Sequence, residues 1–181
     1  ANSEADVRGL IGLLAQKEVL VGFPEDTTKR TLDPVGTPEI TNASLGYIHD
    51  NGMPEQNIPA RPFMVPGMND AVPSATKKLV KLAQRVLKGE GPLSVEQGFT
   101  EVGLAVQFAI RRKINEGIPP PLSEFTLQER ARKGRKGAKK ELERRAQGEA
   151  PSTQFAKPLI DTGQLRNAVN FVIRDRKKRG K

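Results

Sequence analysis

The chain has 181 residues and a formal net charge of +9, from 30 Lys and Arg against 21 Asp and Glu. It contains no Cys and a single His, which excludes disulfides, thiolate metal sites and cysteine nucleophiles. With seven Phe, one Tyr and no Trp, the core must consist mainly of Val, Leu, Ile and Ala. The 17 Gly and 14 Pro indicate much irregular chain. No apolar stretch approaches the ~20 residues that a membrane span needs, so we expect a soluble protein with a modest core.

The positive charge is concentrated in two segments. Residues 130–147 contain nine cations against two Glu, a net charge of +7, and residues 174–181 add +5. The rest of the chain is therefore slightly acidic. A basic run of this kind is either a solvated face or a contact for a polyanion or an acidic neighbouring subunit. Neither run contains an aromatic residue, so a nucleic acid would be contacted at its phosphates. The candidate contact residues are Arg130, Arg132, Lys133, Arg135, Lys136, Lys139, Lys140, Arg144 and Arg145.

The first elements in chain order are a helix and a strand. Apolar residues at helical spacing predict a short helix over residues 7–14, and residues 19–23 have the pattern of a buried strand closed by Pro24. Residues 24–39 show no periodicity, which is typical of a binding loop or of disorder. Thr41 or Asn42 can then cap a short helix that ends before Gly52.

Two longer helices follow. Ser74, directly after Pro73, is the predicted cap of a helix over residues 74–88. A second helix is predicted from Ser94 to Asn115. Leu104 and Phe108 lie off its main apolar stripe, so it should bury two faces, one against the sheet and one against another helix or a subunit. The stripe consists of Val95, Phe99, Val102, Val106, Ile110 and Ile114.

The C-terminal part alternates short helices and loops. Residues 126–132 and 137–146 can form helices, and Asp161 with Gln164 has the spacing of a capping box for a helical turn ending near Ala168. Residues 169–173 alternate as a last strand.

The prediction is an α+β fold, with a small, mainly antiparallel sheet packed against a long amphipathic helix, extended loops and a basic arm. Residues 1–129 and 148–174 form its single domain, 130–147 the arm or insertion, and 175–181 a basic tail.

Catalytic chemistry finds little support in the sequence. His49 has no nucleophile elbow near it, and the glycines match neither a P-loop nor a dinucleotide fingerprint. A histidine satisfied at a helix end is the simpler interpretation of His49. We therefore expect no enzyme, no metal and no cofactor.

Two proline-containing segments stand out. In residues 58–63 two prolines enforce an extended strut that presents Arg61 and Phe63. Residues 157–166 read as a turn before the last strand. Each segment is interpretable either as ordinary internal structure or as a surface that packs against a neighbouring subunit.

Four motifs in order resemble the tail-completion or neck proteins of tailed bacteriophages, also called virion morphogenesis or head–tail joining proteins. They are Val21-Gly22-Phe23-Pro24, then Tyr47-Ile48-His49-Asp50-Asn51-Gly52, then the strut of residues 58–63, and, after a long helix, Pro158-Leu159-Ile160-Asp161-Thr162-Gly163-Gln164-Leu165. The similarity spans roughly residues 21–173. Asp50-Asn51 and the long basic segment depart from the usual pattern.

The resemblance implies a non-enzymatic virion protein, assembled in the host cytoplasm, that forms a ring, commonly of six copies, at the head–tail junction. Its partners would be connector and tail-tube proteins, with non-specific contact to genomic duplex DNA and none to a membrane. The predicted subunit-interface residues are Ile58, Pro59, Arg61, Pro62, Phe63, Leu159, Asp161, Thr162, Gly163 and Leu165. The alternative is a small basic nucleic-acid-binding protein of the ribosome-associated type.

Overall fold

A computed structural model of the chain describes residues 4–24 and 40–176. The helices are α1 Glu4–Gln16, α2 Asn42–Asn51, α3 Met64–Leu87, α4 Pro92–Asn115, α5 Glu124–Arg132, α6 Lys136–Ala146 and α7 Gln164–Ala168, with a 3-10 turn at Pro54–Gln56. The strands β1 Lys17–Gly22 and β2 Asn170–Asp175 pair antiparallel. The α+β prediction is confirmed. The predicted loop lies, apart from Pro24, outside the described residues.

The longest helices, α3 and α4, run antiparallel and pack closely because glycines face the neighbouring helix. A Cβ added at Gly67 would lie 2.7 Å from the Cα of Ile110, and one added at Gly98 would lie 2.5 Å from a methyl group of Leu82. Without a side chain, Gly67 lets the backbone of α4 approach closely, and Gly98 makes room for the Leu82 side chain of α3. The α3–α4 pair therefore forms the rigid centre of the fold.

On its other side α4 covers the two-stranded sheet. The ring of Phe171 lies against Gly103, and the side chains of Gln107 and Arg111 donate to the carbonyl of Val169 at 2.9 Å and 2.7 Å. The predicted apolar stripe of α4 is buried in the fold, except that Val106 is half-buried. Helix α4 thus buries one face against α3 and one against the sheet, whereas Leu104 and Phe108, from which a second buried face was predicted, are exposed in the chain.

The start of α3 differs from the prediction. The helix begins at Met64, not at Ser74, and continues through the exposed Pro73. Its cap comes from α2, because Asp50 Oδ1 accepts the backbone N–H groups of Phe63 (2.7 Å) and Met64 (3.0 Å). This remote carboxylate satisfies first-turn donors that no adjacent side chain reaches.

The predicted capping box before α7 is also absent. Asp161 is bonded to Arg135, and the N–H of Gln164 has Thr162 Oγ1 as its acceptor at 3.3 Å. Gly163 occupies the N-cap position with φ of +81°, a conformation that glycine adopts without steric cost. In the described part of the chain, no helix is long and apolar enough to cross a bilayer.

Candidate basic surface and subunit interfaces

The predicted basic arm is a folded unit with its own small core. Helices α5 and α6 are joined by the short turn 133–135 and bury four apolar side chains: Leu122, Leu127, Ala138 and Ala156. Ser123 caps α5, accepting the N–H of Thr126 at 3.3 Å. The predicted boundary at Arg130 therefore falls inside a helix, and we call residues 122–156 the α5–α6 unit.

A fully buried carboxylate, Glu141, lies at the centre of this unit. It accepts hydrogen bonds from Arg144 and Arg145 at 3.1 Å each, and from the N–H and hydroxyl of Ser152 at 2.8 Å and 3.0 Å. Burial alone would raise the pKa of Glu141, but these four bonds outweigh burial and lower the pKa to about 2. Glu141 is therefore ionised at neutral pH and holds α6 against the following loop.

Arg130 of α5 binds the segment that follows the α5–α6 unit, residues 157–160. Its guanidinium donates to the carbonyls of Lys157 (3.0 Å), Pro158 (2.8 Å) and Ile160 (2.7 Å). Burial lowers its pKa, but the normal pKa of Arg is so high that the group stays charged. Arg135 pairs with Asp161 nearby at 2.7 Å.

Four of the nine predicted phosphate-contact residues consequently form hydrogen bonds or ion pairs with other groups of the same chain. Arg130, Arg135, Arg144 and Arg145 bond to carbonyls or carboxylates of the α5–α6 unit and the segment packed on it. A phosphate would have to displace these partners. We correct the prediction for this subset: their positions show structural roles.

The other five cations are exposed: Arg132, Lys133, Lys136, Lys139 and Lys140. Three of them, Lys136, Lys139 and Lys140, share one side of α6 because they are three and four residues apart. The ammonium group of Lys140 lies 4.1 Å from the centre of the Phe155 ring, and Arg132 pairs with Glu129. We call the three lysines the lysine face of α6.

Two side chains of the strut of residues 58–63 are buried in the fold and are not exposed on its surface. Phe63 is fully buried and meets Phe23 edge to face, with 6.4 Å between ring centres. Arg61 is buried and donates to the carbonyl of Pro120 through Nε (3.1 Å) and Nη2 (2.8 Å). Burial, followed by the charge of Arg130, lowers the pKa of Arg61. These two side chains are therefore internal.

The second predicted interface segment, residues 157–166, also contains both buried and exposed residues. Leu159 and Leu165 belong to the core around Ile110, and Gly163 is buried. With Arg61 and Phe63, half of the ten predicted interface residues thus have internal roles, which corrects that prediction. Exposed members are Pro59, Pro62, Asp161 and Thr162, with Ile58 half-buried.

His49 lies in the last turn of α2, where its backbone carbonyl accepts the N–H of Arg61 at 2.7 Å. Among the described residues, no group of three or more His, Asp or Glu side chains is arranged to hold a metal ion.

Exposed apolar side chains mark surfaces on three elements, of which the sequence analysis had singled out only Leu104 and Phe108 on α4. On α4, Leu104 and Phe108 are 51% and 67% exposed. On the outer side of the sheet, Leu20 and Val172 lie opposite each other and are both exposed. Helix α3 adds six more, which are Val65, Met68, Val72, Leu79, Val80 and Leu87. Their helical spacing was readable in the sequence, but a helix start at Ser74 obscured it.

Comparison with protein-family models gives no match, and no curated protein or solved structure matches the chain. The resemblance to phage neck proteins therefore stands on the four sequence motifs.

Proposed function

We propose that this chain is a structural subunit of a tailed-bacteriophage particle, which forms a ring at the head–tail junction as a tail-completion or neck protein. The motif order supplies the family, and the structure supplies the supporting physical feature. That feature is apolar surface left uncovered on three elements of one small chain: the sheet, α3 and α4.

The sheet illustrates why such a chain would assemble. Within the described residues it has only two strands, so each strand has one edge without a partner strand. Open edges and exposed apolar pairs such as Leu20–Val172 favour association with other chains. In a ring, the same surfaces are covered by neighbouring subunits or by connector and tail-tube proteins.

The lysine face of α6 gives the ring a second role, in which it contacts the genome as DNA passes through. The first and last of the three lysines are only four residues apart on α6, so their positions lie within about 6 Å along the helix axis. Duplex DNA carries one charge per ~1.7 Å of its axis, and binding to phosphates is independent of sequence. A ring with this face toward its opening would hold DNA electrostatically without reading bases.

The ring proposal is tested by light scattering and electron microscopy of the purified chain, together with immunogold labelling of phage particles. We expect a closed ring and label at the neck. A chain that stays monomeric and is absent from particles would contradict the proposal.

The competing function, a small nucleic-acid-binding protein, is favoured by the lysine face alone. It predicts a monomer that binds RNA or DNA tightly in a host cell extract and does not label particles. The same pair of experiments therefore separates the two functions.

A further inference from the structure

Helix α3 is divided lengthwise into a charged side and a charge-free side. All five of its charged residues lie within one half-turn of the helix circumference: Asp70, Lys77, Lys78, Lys81 and Arg85. The other side has no charge over the whole helix and carries the six exposed apolar side chains, which we call the apolar face of α3. Four members are more than half exposed: Val65, Val72, Val80 and Leu87.

The size of this face matches a subunit interface. Six apolar side chains at about half exposure present on the order of 300–500 Å². A standard interface buries ~800 Å² on each partner, a little over half of it apolar. The apolar face of α3 thus supplies the apolar part of one complete interface.

A second exposed apolar site lies on the opposite side of the α3–α4 pair. One row along α4 consists of Glu101, Leu104, Phe108 and Arg112, at spacings of three and four. Glu101 pairs with Lys78 (3.5 Å) and Arg112 with Asp70 (3.6 Å). The row therefore lies beside the charged side of α3, away from the apolar face.

The charges in this row do not prevent docking. Both flanking charges already have opposite charges beside them in the same chain, so bringing them near an apolar partner costs less than burying free ions. Leu104 and Phe108 lie between the two ion pairs and supply an apolar anchor, and aromatic anchors of this kind are common at interface centres.

We infer that the apolar face of α3 in one copy receives the Leu104–Phe108 row of α4 in the next copy. The two surfaces differ and lie on opposite sides of the α3–α4 pair, so the contact is head-to-tail, and repeated head-to-tail contacts form a ring when the rotation between copies closes. The inference rests on the proposed ring and names its interface, which replaces the buried part of the interface predicted from the sequence.

Two charged variants test the inference. In Val72→Asp and Phe108→Asp, each a substitution at an exposed position, circular dichroism should show a folded chain with the helix content of the wild type. Self-association should weaken by on the order of 100-fold, since an unpaired charge would be buried. Phe125→Asp, which changes an equally exposed aromatic on α5, is the control and should assemble normally.

Mixing the two variants distinguishes a head-to-tail contact from a two-fold contact. Each variant retains one intact surface, so an equimolar mixture should form a heterodimer that grows no further. If α3 faces paired with each other instead, Phe108→Asp would assemble normally and the mixture would form no heterodimer, which would overturn the inference. Normal assembly of Val72→Asp would also overturn it and leave the ring proposal intact.

Cysteine cross-linking gives an independent measurement, because the chain has no Cys of its own. The double variant Val72→Cys/Leu104→Cys should give, on oxidation, a ladder of linked subunits that ends at the ring size. Absence of the ladder in an assembled ring would contradict the interface. A ladder formed by a chain absent from phage particles would keep the interface and reject the proposed function.

Discussion

The α3–α4 pair and the α5–α6 unit each consist of two consecutive helices joined by a short turn, but different forces stabilise them. The first is held by apolar side chains and by close approach at Gly67, to the backbone of Ile110, and at Gly98, to the side chain of Leu82. The second has a core of only four buried apolar residues and depends on Glu141 and its arginines. A region dominated by charge can therefore be as ordered as an apolar one when its charges face inward in pairs.

The comparison predicts the largest effect for a cavity in the apolar body. Phe63→Ala removes a fully buried ring and should destabilise the chain by about 3–5 kcal/mol. Denaturant unfolding measures the change. The matched substitution Phe125→Ala, on an exposed ring, should stay within about 0.5 kcal/mol. Equal effects would show that Phe63 is not a core residue.

A smaller and local effect is expected in the α5–α6 unit. Glu141→Gln removes the charge that Arg144 and Arg145 share, and should cost about 2–4 kcal/mol. Amide hydrogen exchange should accelerate in residues 122–152 and stay unchanged in α3 and α4. Glu143→Gln, two residues further along α6 and exposed, is the control. Faster exchange throughout the chain would argue that the two regions unfold as one.

The same carboxylate makes the α5–α6 unit sensitive to acid. The pKa of Glu141 is about 2 in the folded chain, against an ordinary value of 4.5. A lowered pKa stabilises the fold above pH 4.5, and this stabilisation is lost as the pH falls from there to about 2. Hydrogen exchange in α6 across this range should show the loss. In Glu141→Gln this contribution should be missing; an identical acid response would contradict the assignment.

The smallest effect concerns binding of duplex DNA. Replacing Lys136, Lys139 and Lys140 with Ala should reduce the slope of log affinity against log salt by about 2–3. The control replaces three exposed cations in the second half of α3 or directly after it, Lys77, Lys81 and Lys88, and should leave the slope nearly unchanged if the lysine face is the contact. Equal losses would indicate only a general attraction by net charge.

Much of the body was predictable from periodicity. The α4 stripe at residues 95–114, the two terminal strands and the short helix after Thr41 all follow from local patterns, because burial repeats with the period of the element. The start of α3 did not, since its cap is supplied by Asp50 from another helix. Nothing in the local sequence around Met64 shows that remote carboxylate.

The functional surfaces were harder to predict for a related reason. A proline strut has the same sequence whether it lies on the surface or in the core, and Phe63 and Arg61 are in the core. In the basic segment, charge counting cannot separate Arg144, paired with Glu141, from Lys139 on the outside. Only the fold reveals which cations are already neutralised.

The sheet joins parts of the chain that are far apart in the sequence: Lys17 pairs with Asp175, 158 residues later. During synthesis, β1 therefore cannot pair with β2 until almost all of the described chain has been made. A product truncated before residue 169 lacks β2, the Leu20–Val172 pair and the three hydrogen bonds from Gln107 and Arg111 of α4 to the carbonyl of Val169. Such truncated products would lack the pairing that ties β1 to the segment after α7, so the sheet can form only when nearly all of the described residues are present.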